Sequence, residues 1–369
     1  MAAAEKLGIA ATFLKEVPSF AVPGVKFPNQ ALFHPRKYLA ALLRSIDGEG
    51  SHVFEESAAD EILDEPVRVK IGRYELSADY LVIATHNPIV GNASKVGGLL
   101  FQTKLSLYTS YALGAQVRTS QFPEASFWDT ADPYYYLRID RRDGHDYAIF
   151  GGEDHKTGQV EDTIAVFERL EAKFRSFAPD ALVDHRWSGQ VIETNDGLPL
   201  IGETSERQFV ATGYAGNGMT FGTLAAMMAV DAVTKRRNPW AELFAIDRKK
   251  FLGGAWTYVA ENKDYPYYLM RNWLATTEGK SIETLARGEG RILSLNDHKV
   301  AAYRDADGKV SLCSPVCTHL QCIVAWNNAE RTWDCPCHGS RFTPTGAVIS
   351  GPAETPLPKL DPQGEPVDK

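Results

Sequence analysis

All five cysteines of this 369-residue chain fall between positions 313 and 337, and the preceding 312 residues contain none. Disulfides therefore cannot staple most of the chain, which has to fold around apolar cores. Two boxes hold four of the five: Cys317-Thr318-His319-Leu320-Gln321-Cys322 and Cys335-Pro336-Cys337-His338-Gly339-Ser340, with fifteen residues between His319 and Cys335. Cysteines clustered with two histidines indicate a metal site rather than the framework of a small secreted protein.

Each box offers one thiolate and one imidazole, so two converging loops supply a Cys2His2 set. Tetrahedral zinc accepts that set. A [2Fe–2S] cluster accepts it too, with two cysteines on one iron and two histidines on the other. Ligand order separates them, because zinc fingers commonly place a cysteine pair first and a histidine pair later. Here Cys-x-His comes first and Cys-x-x-His second, with Cys322 and Cys337 late in each box.

This arrangement resembles the Rieske family. The resemblance implies a [2Fe–2S] cluster on Cys317, Cys335, His319 and His338, with the histidines on the exposed iron. It also implies a disulfide between Cys322 and Cys337. Gly351-Pro352-Ala353 is similar to the family's third, proline-containing loop. Cys313 is expected to be a buried strand cysteine and not a ligand. Ser340 stands where high-potential members point a hydroxyl at a cluster sulfur. Phe342 stands where they carry a tyrosine that bonds a ligand cysteine. Neutral imidazoles raise the potential to roughly −150 to +300 mV, and the missing tyrosine donor should place this chain below the respiratory Rieske proteins. About thirty residues follow His338, so no mononuclear-iron oxygenase domain is expected there.

The net charge of −8 and the lack of a basic block argue against a nucleic-acid partner. No apolar run approaches the roughly 20 residues of a membrane span, and Met1 to Lys6 shows no secretory signal, so the expected location is the cytoplasm.

Upstream, strand-like and helix-like patterns alternate. Tyr80 to Ala84 and Phe209 to Thr212 read as strands. Helices are expected at about Thr163 to Phe177, with Ile164, Phe167, Leu170, Phe174 and Phe177 on one stripe, and at about Thr220 to Thr234, with Leu224, Met227, Met228 and Val233. Thr194 to Gly202 and Ala211 to Thr220 form a pair of motifs, the second reading as strand, glycine-rich turn and helix start. Such a turn suits an anion or an electron-rich ring edge. The pair resembles the FAD-contacting region of D-amino-acid-oxidase/glycine-oxidase-type flavoproteins. Val82-Ile83-Ala84-Thr85-His86-Asn87 resembles that family's strand returning to the cofactor, and His34-Pro35 the opening of its substrate-side region.

The resemblance implies FAD near Gly213, Gly216, Gly218, Met219 and Thr220. It implies an amine or amino-acid substrate, whose carboxylate Arg138 could bind through its planar fork, and an unidentified acceptor for electrons leaving the cluster. The Gly-x-Gly-x-x-Gly fingerprint of the ADP-binding unit is not found, and the chain is expected to start after it. The competing reading is a Rieske electron-transfer module whose flavoprotein half binds no flavin. The expected architecture is α+β (mixed α/β): a flavoprotein-type domain over 1–247, a linker over 248–273, and a small all-β Rieske domain over 274–369.

Overall fold

The computed structural model describes residues 1–59, 61–63, 67–88, 101–248, 260 and 262–367. Much of the expected linker, including Lys249 and Lys250, lies outside them. The chain forms two compact units. The first comprises Met1–Ser57, Tyr111–Glu153 and Ala165–Trp187; the second comprises Ala58–Ser110, Asp154–Ile164 and Ser188–Lys369. Among the described residues no helix is long and apolar enough to cross a membrane.

A five-stranded sheet, with all of Tyr136–Arg141 and Ser126–Trp128 and part of each other strand in the first unit, runs in the order Leu182–Thr194, Leu105–Val117, Asp146–Lys156, Tyr136–Arg141 and Ser126–Trp128. The helix Thr163–Arg175 buries Val166, Leu170 and Phe174 completely. That stripe follows i, i+4 spacing. Its centre lies one residue from the expected line, so Ile164 faces solvent at 47% exposure. Phe174 packs against Phe150 and Phe177 at centroid distances of 5.3 and 5.5 Å. A fully buried ring of this kind contributes roughly 1.5–3 kcal/mol.

In the second unit Leu81–Ile83 runs parallel to Gln208–Thr212, which pairs antiparallel with Leu200–Ser205. The helix Gly218–Val233 packs Ala225, Met228 and Ala229 against Ile201, Phe209 and Ala211. Met227 and Val233, expected on its apolar stripe, point outward at 62% and 49% exposure. Each residue turns the helix by about 100°, which carries Met227 off the face holding Met228.

The C-terminal part of this unit is all-β, as expected. Gly290–Leu295, His298–Arg304 and Val310–Cys313 form one antiparallel sheet. Its first hairpin turns on Asn296 and Asp297, both at positive φ, as a two-residue loop of matching twist requires. Ala325–Asn327, Thr332–Asp334, Arg341–Phe342 and Val348–Ser350 form the other. Trp333, Phe342 and Leu357 are buried with Cys317 and Cys335 in one core. Within this core edge Arg341, 8% exposed, is neutralised by Glu330 and Asp334, and Asp334 also accepts from Asn327 and Thr332. A buried charge without those partners would cost several kcal/mol.

Candidate metal centre

The two boxes fold into loops closed in the same way. The Cys317 amide donates to the Cys322 carbonyl at 2.8 Å, and the Gln321 amide donates back to the Cys317 carbonyl at 3.0 Å. In the second loop Cys335 donates to Ser340 at 2.8 Å and Gly339 to Cys335 at 2.9 Å, with the same offsets of five and four residues. The fourth residue after each cysteine turns through positive φ, Gln321 at 59° and Gly339 at 71°. Glycine is needed at 339, where an added Cβ would lie 2.6 Å from the Leu107 side chain. A disulfide between Cys322 and Cys337, with Cα atoms 6.5 Å apart, ties the loops together.

Cys317 and Cys335 are buried and free of disulfide. A hydrogen bond from Cys335 holds the Cys317 thiol below its ordinary range, with the His319 backbone and the Ser340 hydroxyl adding to it. The proton stays with Cys335, which is pushed up. The imidazoles of His319 and His338 lie 5.0 Å apart, nearly perpendicular. Burial lowers His319 to about 4 and, with the neighbouring His319 charge, His338 to about 3. Both rings are therefore neutral at pH 7, the form that ligates metal. Their Nδ1 atoms are buried and have no hydrogen-bond partner among the described residues. Two buried cysteines free of disulfide, Cys317 primed to ionise, and two ring nitrogens without a partner among the described residues fit a cluster with sulfur on one iron and nitrogen on the other.

The third loop, Gly351-Pro352-Ala353, docks through the Ala353 amide, which donates to Ser340 Oγ at 2.9 Å. Ser340 thus bonds both this loop and the Cys317 sulfur. Phe342 is fully buried and carries no hydroxyl. Phe342→Tyr should raise the cluster potential, since one added donor is worth about 1 kcal/mol, or roughly 40 mV for one electron. Redox titration monitored by visible absorbance checks this; an unchanged or lower potential would contradict it. Cys313 ends its strand 1% exposed, pushed up to about 12 by burial, with Sγ facing the Ala301 carbonyl.

On the flavin side, the strand Gln208–Thr212 leads into Gly213 and Gly216, at φ 77° and 80°, and then into the helix beginning at Gly218. Met219 and Thr220 sit in its first turn. The Thr212 hydroxyl donates to the His86 carbonyl, joining this turn to the end of the parallel strand. Asn87 follows, 5% exposed, with neither amide atom bonded among the described residues. Its Nδ2 lies beside Gly351 of the third loop, 3.8 Å from where a Cβ there would stand. Gly216 and Gly218 are exposed, and a glycine turn of this kind at a helix start fits a polar ring edge such as FAD presents. Arg138 lies within the strand Tyr136–Arg141, and its fork is already on Asp140 Oδ1, at 2.9 and 2.8 Å. His34 caps the helix Pro35–Ile46.

Residues 2–232 match the model of the FAD dependent oxidoreductase family, and residues 273–361 match the Rieske [2Fe-2S] domain. The chain belongs to the FAD-dependent oxidoreductases, with a Rieske domain attached. A relative from Bacillus subtilis, named as the Rieske 2Fe-2S iron-sulfur protein YhfW, is 33% identical over 96% of this chain and 70% of its own length. The cytochrome b6-f complex iron-sulfur subunit of Chlorobaculum tepidum is 33% identical over 37% of this chain and 83% of its own. Among solved structures, glycine oxidase from Geobacillus kaustophilus superposes with a TM-score of 0.54 at 17% identity, covering 67% of this chain and 70% of that one. L-proline dehydrogenase from P. horikoshii gives 0.51 at 18%, covering 66% and 70%. These two likenesses establish the fold. The oxidoreductase family and its Rieske domain bring FAD and a [2Fe–2S] cluster as cofactors.

Sequence reasoning missed Gln159, Gln190 and Tyr265, which all touch the second cluster loop. Gln159 Nε2 donates to the Pro336 carbonyl at 3.0 Å and Gln190 Nε2 to the Gly339 carbonyl at 2.8 Å. Next to Gln159 in the chain, Gly158 at φ 77° presses on the loop backbone: an added Cβ would lie 2.8–2.9 Å from Pro336 N, Asp334 O and Cys335 C. Gly158→Ala should destabilise the protein by about 3 kcal/mol, combining left-handed backbone strain with overpacking. Denaturant unfolding measures it, and a loss under about 1 kcal/mol would mean the loop yields freely.

Proposed function

We propose that this oxidoreductase acts on an amine or amino-acid-like substrate and passes electrons through its Rieske cluster to an acceptor outside the chain. The observation that carries the reading is the pair of buried imidazole nitrogens without a hydrogen-bond partner among the described residues, on the same two loops as two buried cysteines free of disulfide, in a chain whose larger part is a flavoprotein fold. In this reading Cys317 and Cys335 hold the inner iron and His319 and His338 the outer one, with Ser340 bonding a ligand sulfur. Bound FAD supplies the oxidation, and the cluster supplies one-electron transfer.

The chain's own groups do the rest. Gly213, Gly216, Gly218, Met219 and Thr220 form the turn and helix start that approach the flavin. Arg138 is the candidate for a substrate carboxylate, which would have to displace Asp140 from the guanidinium. We take 1–247 as the flavoprotein part, 248–273 as the link and 274–369 as the cluster domain.

The test is an absorption spectrum of anaerobically purified protein, then denaturation and a scan of the supernatant. Iron–sulfur bands with released flavin support the whole reading. Iron–sulfur bands without flavin would leave the cluster as the working centre and overturn the oxidation step for this chain.

A further inference from the structure

We infer that Gln159, Gln190 and Tyr265, none of them inside the 273–361 Rieske match, are positioning residues for the loop that carries Cys335 and His338. The two amides are placed with a regularity that packing alone does not require. Gln159 donates to the carbonyl of the residue directly after Cys335, and Gln190 to the carbonyl of the residue directly after His338. Each ligand is thereby followed at once by a residue whose carbonyl is pinned. Gln190 is itself steadied by the Thr157 hydroxyl at 3.3 Å, which pairs with Thr109 at 2.9 Å.

Tyr265 fixes the ring that those bonds leave free to rotate. Its centroid lies 4.9 Å from that of His338, so the imidazole is held between Tyr265 on one side and His319 on another. The tyrosine sits on the helix Asp264–Leu274, whose Tyr265 and Leu269 pack on the cluster core. Lys156 bonds Asp264 at 2.9 Å and Glu161 bonds Arg271 at 2.8 Å, anchoring the helix at both ends. One short segment, Lys156 to Glu161, therefore holds the ligand loop through Gln159 and Gly158 and seats the helix that carries Tyr265.

Groups that orient a metal's ligands typically change its affinity about 10- to 100-fold when removed. Here those groups come from the flavoprotein part and the linking helix, so the cluster site is completed by sequence outside the Rieske domain. The inference rests on the cluster assignment proposed above, which the iron content and spectrum of the unmodified protein test separately.

The experiment uses the full chain with its cluster in three forms: the double variant Gln159→Leu with Gln190→Leu, Tyr265→Leu, and Tyr265→Phe. Three quantities are read: the g-values of the dithionite-reduced cluster, the half-life of its visible bands under an iron chelator, and the Tm. The double variant and Tyr265→Leu should each change the g-values and shorten the half-life by about tenfold. Tyr265→Phe, which keeps the ring, should match the unmodified protein. Wild-type g-values and half-life in both the double variant and Tyr265→Leu would overturn the inference and leave these residues as packing. If Tyr265→Leu lowers the Tm steeply, the double variant decides. An unmodified protein without cluster bands would overturn the assignment itself, and the inference with it.

Discussion

Protein carrying Cys335→Ser will purify with almost none of its iron. Cys335 is 2% exposed, so water cannot replace a lost ligand without opening the core. A serine oxygen is harder and shorter than a thiolate and ill suited to an iron–sulfur cluster. Iron content should fall by about tenfold or more, which already exceeds what loss of an orienting group does. The visible bands and the reduced-state resonance should vanish with it. Cys313→Ser is the control: that thiol bonds the Ala301 carbonyl, and its loss should leave the iron in place. A Cys335→Ser protein that keeps a full complement of cluster would refute the ligand set.

Removing the disulfide by Cys322→Ala with Cys337→Ala should cost about 3 kcal/mol, the chain-entropy value for a bridge closing 15 residues. The loss falls on the two loops that carry every proposed ligand, so cluster release should accelerate together with unfolding. Guanidinium unfolding midpoints and the decay of the visible bands measure the two effects. If neither moves, the bridge is dispensable and the loops are held by their own hydrogen bonds. Cys322 is 1% exposed, and intact cluster-loaded protein should resist thiol labelling at both positions.

The Rieske domain was legible in the two cysteine–histidine boxes because metal chemistry dictates both residue type and spacing, and no core position demands a histidine two or three residues after a cysteine. The glycine turn after Thr212 was legible for a similar reason, since positive φ at Gly213 and Gly216 restricts the residue type. Helix faces were read only coarsely. Met227 and Val233 are apolar yet exposed, because the face of Gly218–Val233 is decided by small alanines that fit closely on the sheet. Arg138 could be singled out by its chemistry, but its engagement with Asp140 is a matter of which way two side chains on one strand turn. Asn87 ended a run already quoted, and nothing in its neighbours announced that its amide would be buried and unbonded.

Gln159 and Gln190 were invisible for a different reason, and it bears on how the protein is made. Their carbonyl partners lie 177 and 149 residues further along the chain. Contacts of such separation form late, after the intervening chain has been ordered. On a ribosome both glutamines leave the exit tunnel well before either cysteine box has been translated. The cluster loops are therefore born onto a seat that can already be folded. Until they reach it, neither glutamine amide can hold them, and their shape rests on the Cys322–Cys337 bridge, the core beneath them and their own hydrogen bonds.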